Sequence, residues 1–210
     1  MRRRLALAAA VALGAVGIAL GASALGALDG LEGQATDARF AVRGERPVHD
    51  VAVVAIDDTS FDELRQRWPF PRSLHARVID QLRKAGARQI AYDVQFTEPS
   101  APREDAALYS AVGRAKHVVL STTEVDRHGH TNVLGGDESL RRAGARAGQA
   151  AAPADQDGII RRLVPRVDGL ESFPLAAAEA ATGRKLHDPA LEHGRALIDF
   201  SGGPGTVPTL

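Results

Sequence analysis

Residues 51–98 read VAVVAIDDTSFDELRQRWPFPRSLHARVIDQLRKAGARQIAYDVQFTE, and their order of apolar and amphipathic segments decides the fold class. Val51–Ile56 is an unbroken apolar run rich in β-branched residues, the pattern of a strand covered on both faces. Thr59-Ser60 followed by Asp62-Glu63 signals the start of a short helix, which Pro69 and Pro71 interrupt. Pro71 suits the first position of the next helix, where its missing N–H costs nothing. Leu74, Val78, Ile79 and Leu82 fall on one face of that helix, and Gly86 is placed to close it. Gln89–Phe96 returns to a strand pattern. A strand, helix and strand of these lengths make a right-handed crossover, with 51–56 beside 89–95 in parallel.

Working outward, Asp105–Ala115 repeats the helical pattern and His117–Thr122 supplies a third strand, so the first half reads as a βαβαβ unit. Glu124–Val133, with His128-Gly129 at its middle, has the form of a hairpin. Asp155-Gln156-Asp157-Gly158 is a turn leading into an expected strand at Ile159–Val167. Phe173–Thr182 is a helix opened by Pro174 and stopped by Gly183, and Ala196–Phe200 is a last strand. The expected fold is α/β: a single mixed-sheet domain over 45–210 with a parallel first half.

Upstream, Leu5–Leu28 holds no charged residue and follows Arg2, Arg3 and Arg4. As a helix it would be about 36 Å long, enough for a hydrocarbon core of roughly 30 Å. Arginines before it and Asp29 and Glu32 after it predict a cytoplasmic segment 1–4, a membrane helix 5–28 and a body outside. The rival reading is a cleaved signal peptide with Ala22-Ser23-Ala24 as its cleavage site; both readings export the body. Leu28, Leu31, Ala35 and Ala38 continue the helical period as a stalk over 29–44. Gly17 and Gly21 form a Gly-x-x-x-Gly pair of the kind that lets two membrane helices approach, and a homodimer is expected.

The chain has 210 residues, balanced charge and no cysteine. Disulfides, thiolate metal sites and cysteine nucleophiles are excluded. With the three leading arginines set aside the remainder is slightly acidic, which leaves no footprint for nucleic acid.

Carboxylates stand where strands should end: Asp57 and Asp58, then Asp93 and Glu98, then Glu124 and Asp126. Ligands of open α/β sheets bind at such ends, and oxygen ligands suit Mg²⁺. The plainer reading is that Asp57 and Asp58 cap a helix and Asp93 fixes a loop. His128 and His130 have a spacing that could hold a metal, but a polar hairpin tip explains them more simply. No cofactor or metal is expected. Trp68 and Arg72 offer an aromatic wall and an anion partner, so Asp57, Asp58, Trp68, Arg72, Asp93 and Glu98 form the candidate ligand site. The structural alternative has Arg72 neutralised by Asp57 or Asp93 while Trp68 seals the core.

In sequence order, IDDTS at 56–60, WPFPR at 68–72, YDVQFTE at 92–98, DQDGIIRR at 155–162, SFPLAAA at 172–178 and the FSGGPGTVPTL ending closely resemble the second type of CHASE domain. These are cyclase/histidine-kinase-associated sensory extracellular domains. The resemblance rests on Pro69, Pro71, Asp157, Gly158 and Arg161 among others and covers roughly 30–210. It implies a bacterial inner-membrane receptor that senses a small-molecule ligand outside the cell. Further membrane helices and a cytoplasmic output would follow: a nucleotide cyclase, histidine kinase, diguanylate cyclase or Ser/Thr kinase, in cis or in trans. This chain stops at Leu210, so it is expected to be a fragment or to borrow its output. The competing expectation is a periplasmic Mg-dependent hydrolase built on the acidic strand ends.

Overall fold

The computed structural model describes residues 3–4, 10–17, 21, 29–194 and 196–210. It forms two units, one of residues up to Ala55 with Gln156–Ile159 and Asp199–Leu210, the other of Ile56–Asp155 and Ile160–Ile198.

In the first unit, residues 10–17 are helical, and most of the rest of the expected membrane span lies outside the described residues. Among the described residues no helix is long and apolar enough to cross a membrane. The expected stalk is present as helix α1, Asp29–Arg43, and it ends before Gly44 at φ +74°. Its last residue is anchored: the Arg43 guanidinium donates to the Asp199 carboxylate and to the Phe200 carbonyl. Arg46 adds a second bond to Asp199 at 2.5 Å, and the Phe40 and Phe200 rings meet edge-on at 5.6 Å. Hydrogen bonds from Arg46 and Arg43 hold the Asp199 carboxyl below the usual range.

The run 51–56 keeps its extended character but takes a different partner from the one expected. Val53 N–H donates to Pro208 at 2.8 Å, and Leu210 N–H donates to the Val53 carbonyl at 2.8 Å, a short parallel pairing with the end of the chain. Val51, Val53, Val54 and Ile56 are all exposed, so no second layer of the described residues covers them.

The second unit holds the parallel sheet, one strand further along the chain than expected. Helices α2 (Asp58–Leu64) and α3 (Arg72–Lys84) precede β1 (Ile90–Tyr92). Then follow α4 (Pro102–Ala115), β2 (Val118–Thr122), α5 (Asp137–Ala143) and β3 (Ala145–Gln149). The sheet order is β1-β2-β3, all parallel, with Ile90 opposite Val118 and Val118 opposite Ala145. Ile79 of α3, Leu108 and Val112 of α4 and Leu140 of α5 cover one face over Ile90, Val118 and Leu120. Helix α6 (Phe173–Thr182) packs on all three strands and buries Leu175 and Ala176. Its bounds are those expected, with Pro174 in its first turn and Gly183 left-handed at its end.

Two expected β segments are shorter than their composition suggests. Ile159–Val167 yields only a bridge between Arg162 and Leu197 and the two-residue strand β4 (Arg166–Val167), paired antiparallel with β5 (Leu170–Glu171). Pro165, with no N–H to donate, divides the run. The expected strand at 196–200 is that same bridge at Leu197. The short helix α7 (Pro189–Glu192) is capped by Asp188. The expected hairpin over 124–133 is a turn without strands.

Gly148 of β3 marks the tightest approach in the unit. A Cβ there would stand 2.6 Å from the Phe173 Cα, so α6 can start against the sheet only over a glycine. Gly148→Ala is expected to cost about 1–3 kcal/mol through overpacking against backbone. It is read as a lower urea midpoint; an unchanged midpoint would mean the α6–β3 contact is slack.

Candidate functional site

The residues expected to form a ligand site are largely occupied by hydrogen bonds within the fold. Asp57 is the N-cap of α2: its carboxylate accepts from Ser60 N–H at 3.0 Å and Ser60 Oγ accepts from Asp57 N–H at 3.3 Å. The cap therefore stands two residues before the expected Thr59-Ser60 signal. The Ser60 bonds lower the Asp57 carboxyl from its ordinary value. Asp58 is exposed in the first turn.

Arg72 is neutralised, but by neither of the expected partners. It donates to Asp105 at 2.6 Å and to the Glu98 carbonyl, and it lies 5.5 Å from the Phe96 ring centre. Glu98 thus acts through its backbone. Asp105 also accepts from Ser100 N–H at 3.0 Å, and Glu104 accepts from Ser73 N–H at 2.6 Å. Pro71 is the N-cap of α3, one place before the expected helical position, and offers no side-chain cap; Glu104 of α4 supplies that bond from outside. The starts of α3 and α4 are clamped together. The Asp93 side chain is exposed and makes no hydrogen bond or ion pair among the described residues.

Trp68, joined to Pro69 by a cis peptide bond, remains 49% exposed and does not seal the core. Its ring meets Phe70 at 5.4 Å and His75 at 5.9 Å, both edge-on. His75 is the centre of this cluster. Buried on α3 one turn before Ile79, it contacts Phe96 at 5.2 Å and bonds Tyr92 Oη through Nδ1 at 2.8 Å. Burial, then the Arg72 charge, lowers the His75 pKa, and burial raises the Tyr92 hydroxyl. Neutral His75, protonated at Nε2, can accept a hydrogen bond at Nδ1 from the Tyr92 hydroxyl. The sequence offered one signal for this residue, its i, i+4 spacing to Ile79 on the buried face.

The later acidic residues are similarly engaged. Gln95 accepts from Thr123 N–H at 2.8 Å and donates to Glu124 at 2.5 Å, closing the ends of β1 and β2. Asp126 accepts from the N–H groups of His130 and His128, and both bonds hold its carboxyl down. His130 pairs with Asp137 at 2.7 Å, which raises its pKa, while His128 projects outward. Among the described residues no group of three His, Asp or Glu is placed to hold a metal. In the DQDG turn, Asp157 accepts from Ile159 N–H at 3.1 Å and Gly158 has φ +81°. Arg161 is buried and paired with Asp155 at 3.2 Å, a structural use.

The opposite, amino edge of the sheet carries a cleft of about 600 Å³ that sequence reasoning missed. Lys116, Arg141, Arg142, Arg146, Arg184 and Lys185 line it, with Glu179 the single carboxylate. Glu179 is already neutralised by Lys185; burial pushes it up, yet the Lys185 and Leu186 bonds leave it below its ordinary value.

A covered parallel sheet, a carboxyl edge tied by hydrogen bonds and an open cationic cleft at the amino edge describe the α/β module. A family model described as the CHASE2 domain matches residues 8–210, and the chain belongs to that family. It is a family of extracellular sensory domains in signalling proteins, and its role is sensory rather than catalytic. No curated protein and no solved structure matches the chain.

Two outcomes follow from the carboxyl edge. Arg72→Ala is expected to destabilise the domain by about 2 kcal/mol, the value of two hydrogen bonds from a charged group less what half-open Asp105 recovers from water. A change under about 0.5 kcal/mol in urea would show that the clamp contributes nothing. His75 has a folded pKa below its unfolded one, so its contribution is complete above about pH 6.5 and is lost as pH falls from there toward the folded value. His130, shifted upward, works the other way: its contribution is present below that pH and fades as pH rises through its folded value. The difference in urea midpoint between wild type and His75→Asn is therefore expected to narrow between pH 7 and 5. A pH-independent difference would rule His75 out.

Proposed function

We propose that this chain is the extracytoplasmic sensory domain of a bacterial membrane-anchored receptor. Membership of a sensory family over 8–210 carries the reading. In it, residues 5–28 anchor the chain with residues 1–4 in the cytoplasm, and the three arginines and the uncharged run support that orientation. Helix α1 follows the anchor directly, and its end is fixed to the Asp199–Ser201 segment by Arg43 and Arg46. A displacement of that segment would therefore reach the helix that leaves the membrane. The output is a cyclase or kinase in the cytoplasm, supplied in cis or in trans, and the working form is a homodimer.

Reporter fusions test the placement. Alkaline phosphatase joined after Leu210 is expected to be active and to stay with the membrane fraction, whereas a cytoplasm-dependent fluorescent protein at the same point stays dark. The reverse pair of results would overturn the reading. Replacing Asp199 by Asn is expected to leave the fold intact, since the pair is exposed, and to alter the response of an attached cyclase. An unaltered response would remove the α1 anchor from the signalling route.

A further inference from the structure

We propose that the cleft at the amino edge of the sheet is a binding site for a small, multiply charged oxyanion bearing phosphate or carboxylate groups. The inference rests on the sensory reading only for what the ligand would report; the binding stands on the geometry alone. Six cationic side chains face the cleft against one carboxylate that Lys185 already neutralises. Lys116, Arg141, Arg146 and Arg184 have no salt-bridge partner among the described residues, although Arg146 is near enough to Glu179 to lower its pKa. Arg142 makes only a loose contact with Glu138 at 3.9 Å. Gly113, Ala143 and Ala180 line the cavity with little side-chain bulk and leave the space open. Its volume is that of small-molecule sites. Guanidinium groups at a concave surface match carboxylate and phosphate oxygens two at a time, which a convex basic patch on a membrane would not require.

The plainer account is that these cations complement helix ends. α4, α5 and α6 all finish at this edge, and a positive charge near a helix C-terminus is worth about 0.3–1 kcal/mol. That account does not explain why cations from three helix ends and a strand converge on one cavity. Arg146 belongs to no helix: it lies on β3 just past the end of α5, and it faces the same cavity as Lys116, Arg141 and Arg184. Lys116, the C-cap of α4 at φ +64°, fits the helix-end account, but it too faces the shared cavity and not the solvent beyond its own helix.

The test is calorimetric titration of the full chain in non-ionic detergent with pyrophosphate and with citrate, each against sodium chloride of equal ionic strength. Saturable binding with a Kd below about 1 mM is expected, weakened at least roughly tenfold in Arg146→Gln/Arg184→Gln and again in Lys116→Gln/Arg141→Gln. These side chains are exposed, so the melting temperature without ligand should hardly move. Preference for pyrophosphate or citrate assigns phosphoryl or carboxyl chemistry. The proposal is overturned by heats no larger than those of chloride, by binding unchanged in both variants, or by variants that lose only stability, which is the helix-end account. It is also overturned if the substitutions abolish only attachment to phosphatidylglycerol vesicles, which would make the face a lipid contact. A chain that binds no oxyanion while its phosphatase fusion is active loses the cleft and keeps the sensory reading; the opposite pair of results keeps the cleft alone.

Discussion

Strand β2 is buried at all five positions, and covering it sets the arrangement of the second unit. A parallel strand needs a hydrogen-bonded neighbour at each edge and a helix over each face, since its side chains alternate between the two. Val118 and Leu120 enter the cluster built by α3, α4 and α5, and Leu175 and Ala176 of α6 are buried outside it. The helices return beside the strands through very short links, two residues between α4 and β2 and one between α5 and β3. Left-handed residues make those links possible, Lys116 in one and Gly144 in the other.

That constraint also makes the two edges of the sheet chemically unlike. Helices that run against the strands place their beginnings at the carboxyl edge and their ends at the amino edge. Beginnings attract carboxylates and side-chain acceptors, which here are matched by donors from Arg72, Ser73 and Ser100. Ends attract cations: Arg114 donates twice to Asp80, and Lys185 pairs with Glu171 and Glu179. The others at the amino edge are left in surplus around a cavity. The unequal edges thus follow from topology before any ligand is considered.

Much of this was legible in the sequence. Helices over 72–84, 102–115 and 173–182, the stalk, and strands at 90–92 and 118–122 all carry clean periodicity or punctuation. Strand β3 was not legible, because Ala145-Arg146-Ala147-Gly148-Gln149 contains no β-branched or aromatic residue. It is a strand because β2 needs a second neighbour and because Gly148 admits α6. Conversely, 51–56 has the composition of a central strand but no layer of the described residues covers it, so composition was a poor guide to its partner. The WPFPR motif marked a structural clamp centred on Arg72, and its true acid, Asp105, lay in a helix read only for its period. The cationic cleft was invisible for a similar reason: its residues are scattered over 116–185 and meet only once the crossovers are drawn.

A sensor needs a ligand that binds two states unequally, because tight but equal binding shifts nothing. The carboxyl edge is poorly suited to this: its one strongly placed cation, Arg72, is already matched within the fold, and an added anion would have to break Arg72–Asp105 to reach it. The amino edge differs in that its cations come from separate elements, the ends of α4, α5 and α6 and the strand β3. Like charges on separate elements repel one another, which opposes any arrangement that brings them closer. An oxyanion bridging Arg184 of the α6 side and Arg141 of the α5 side would offset that repulsion. It would favour whichever arrangement holds the cations closer to it, and the effect should weaken as salt screens the rim charges.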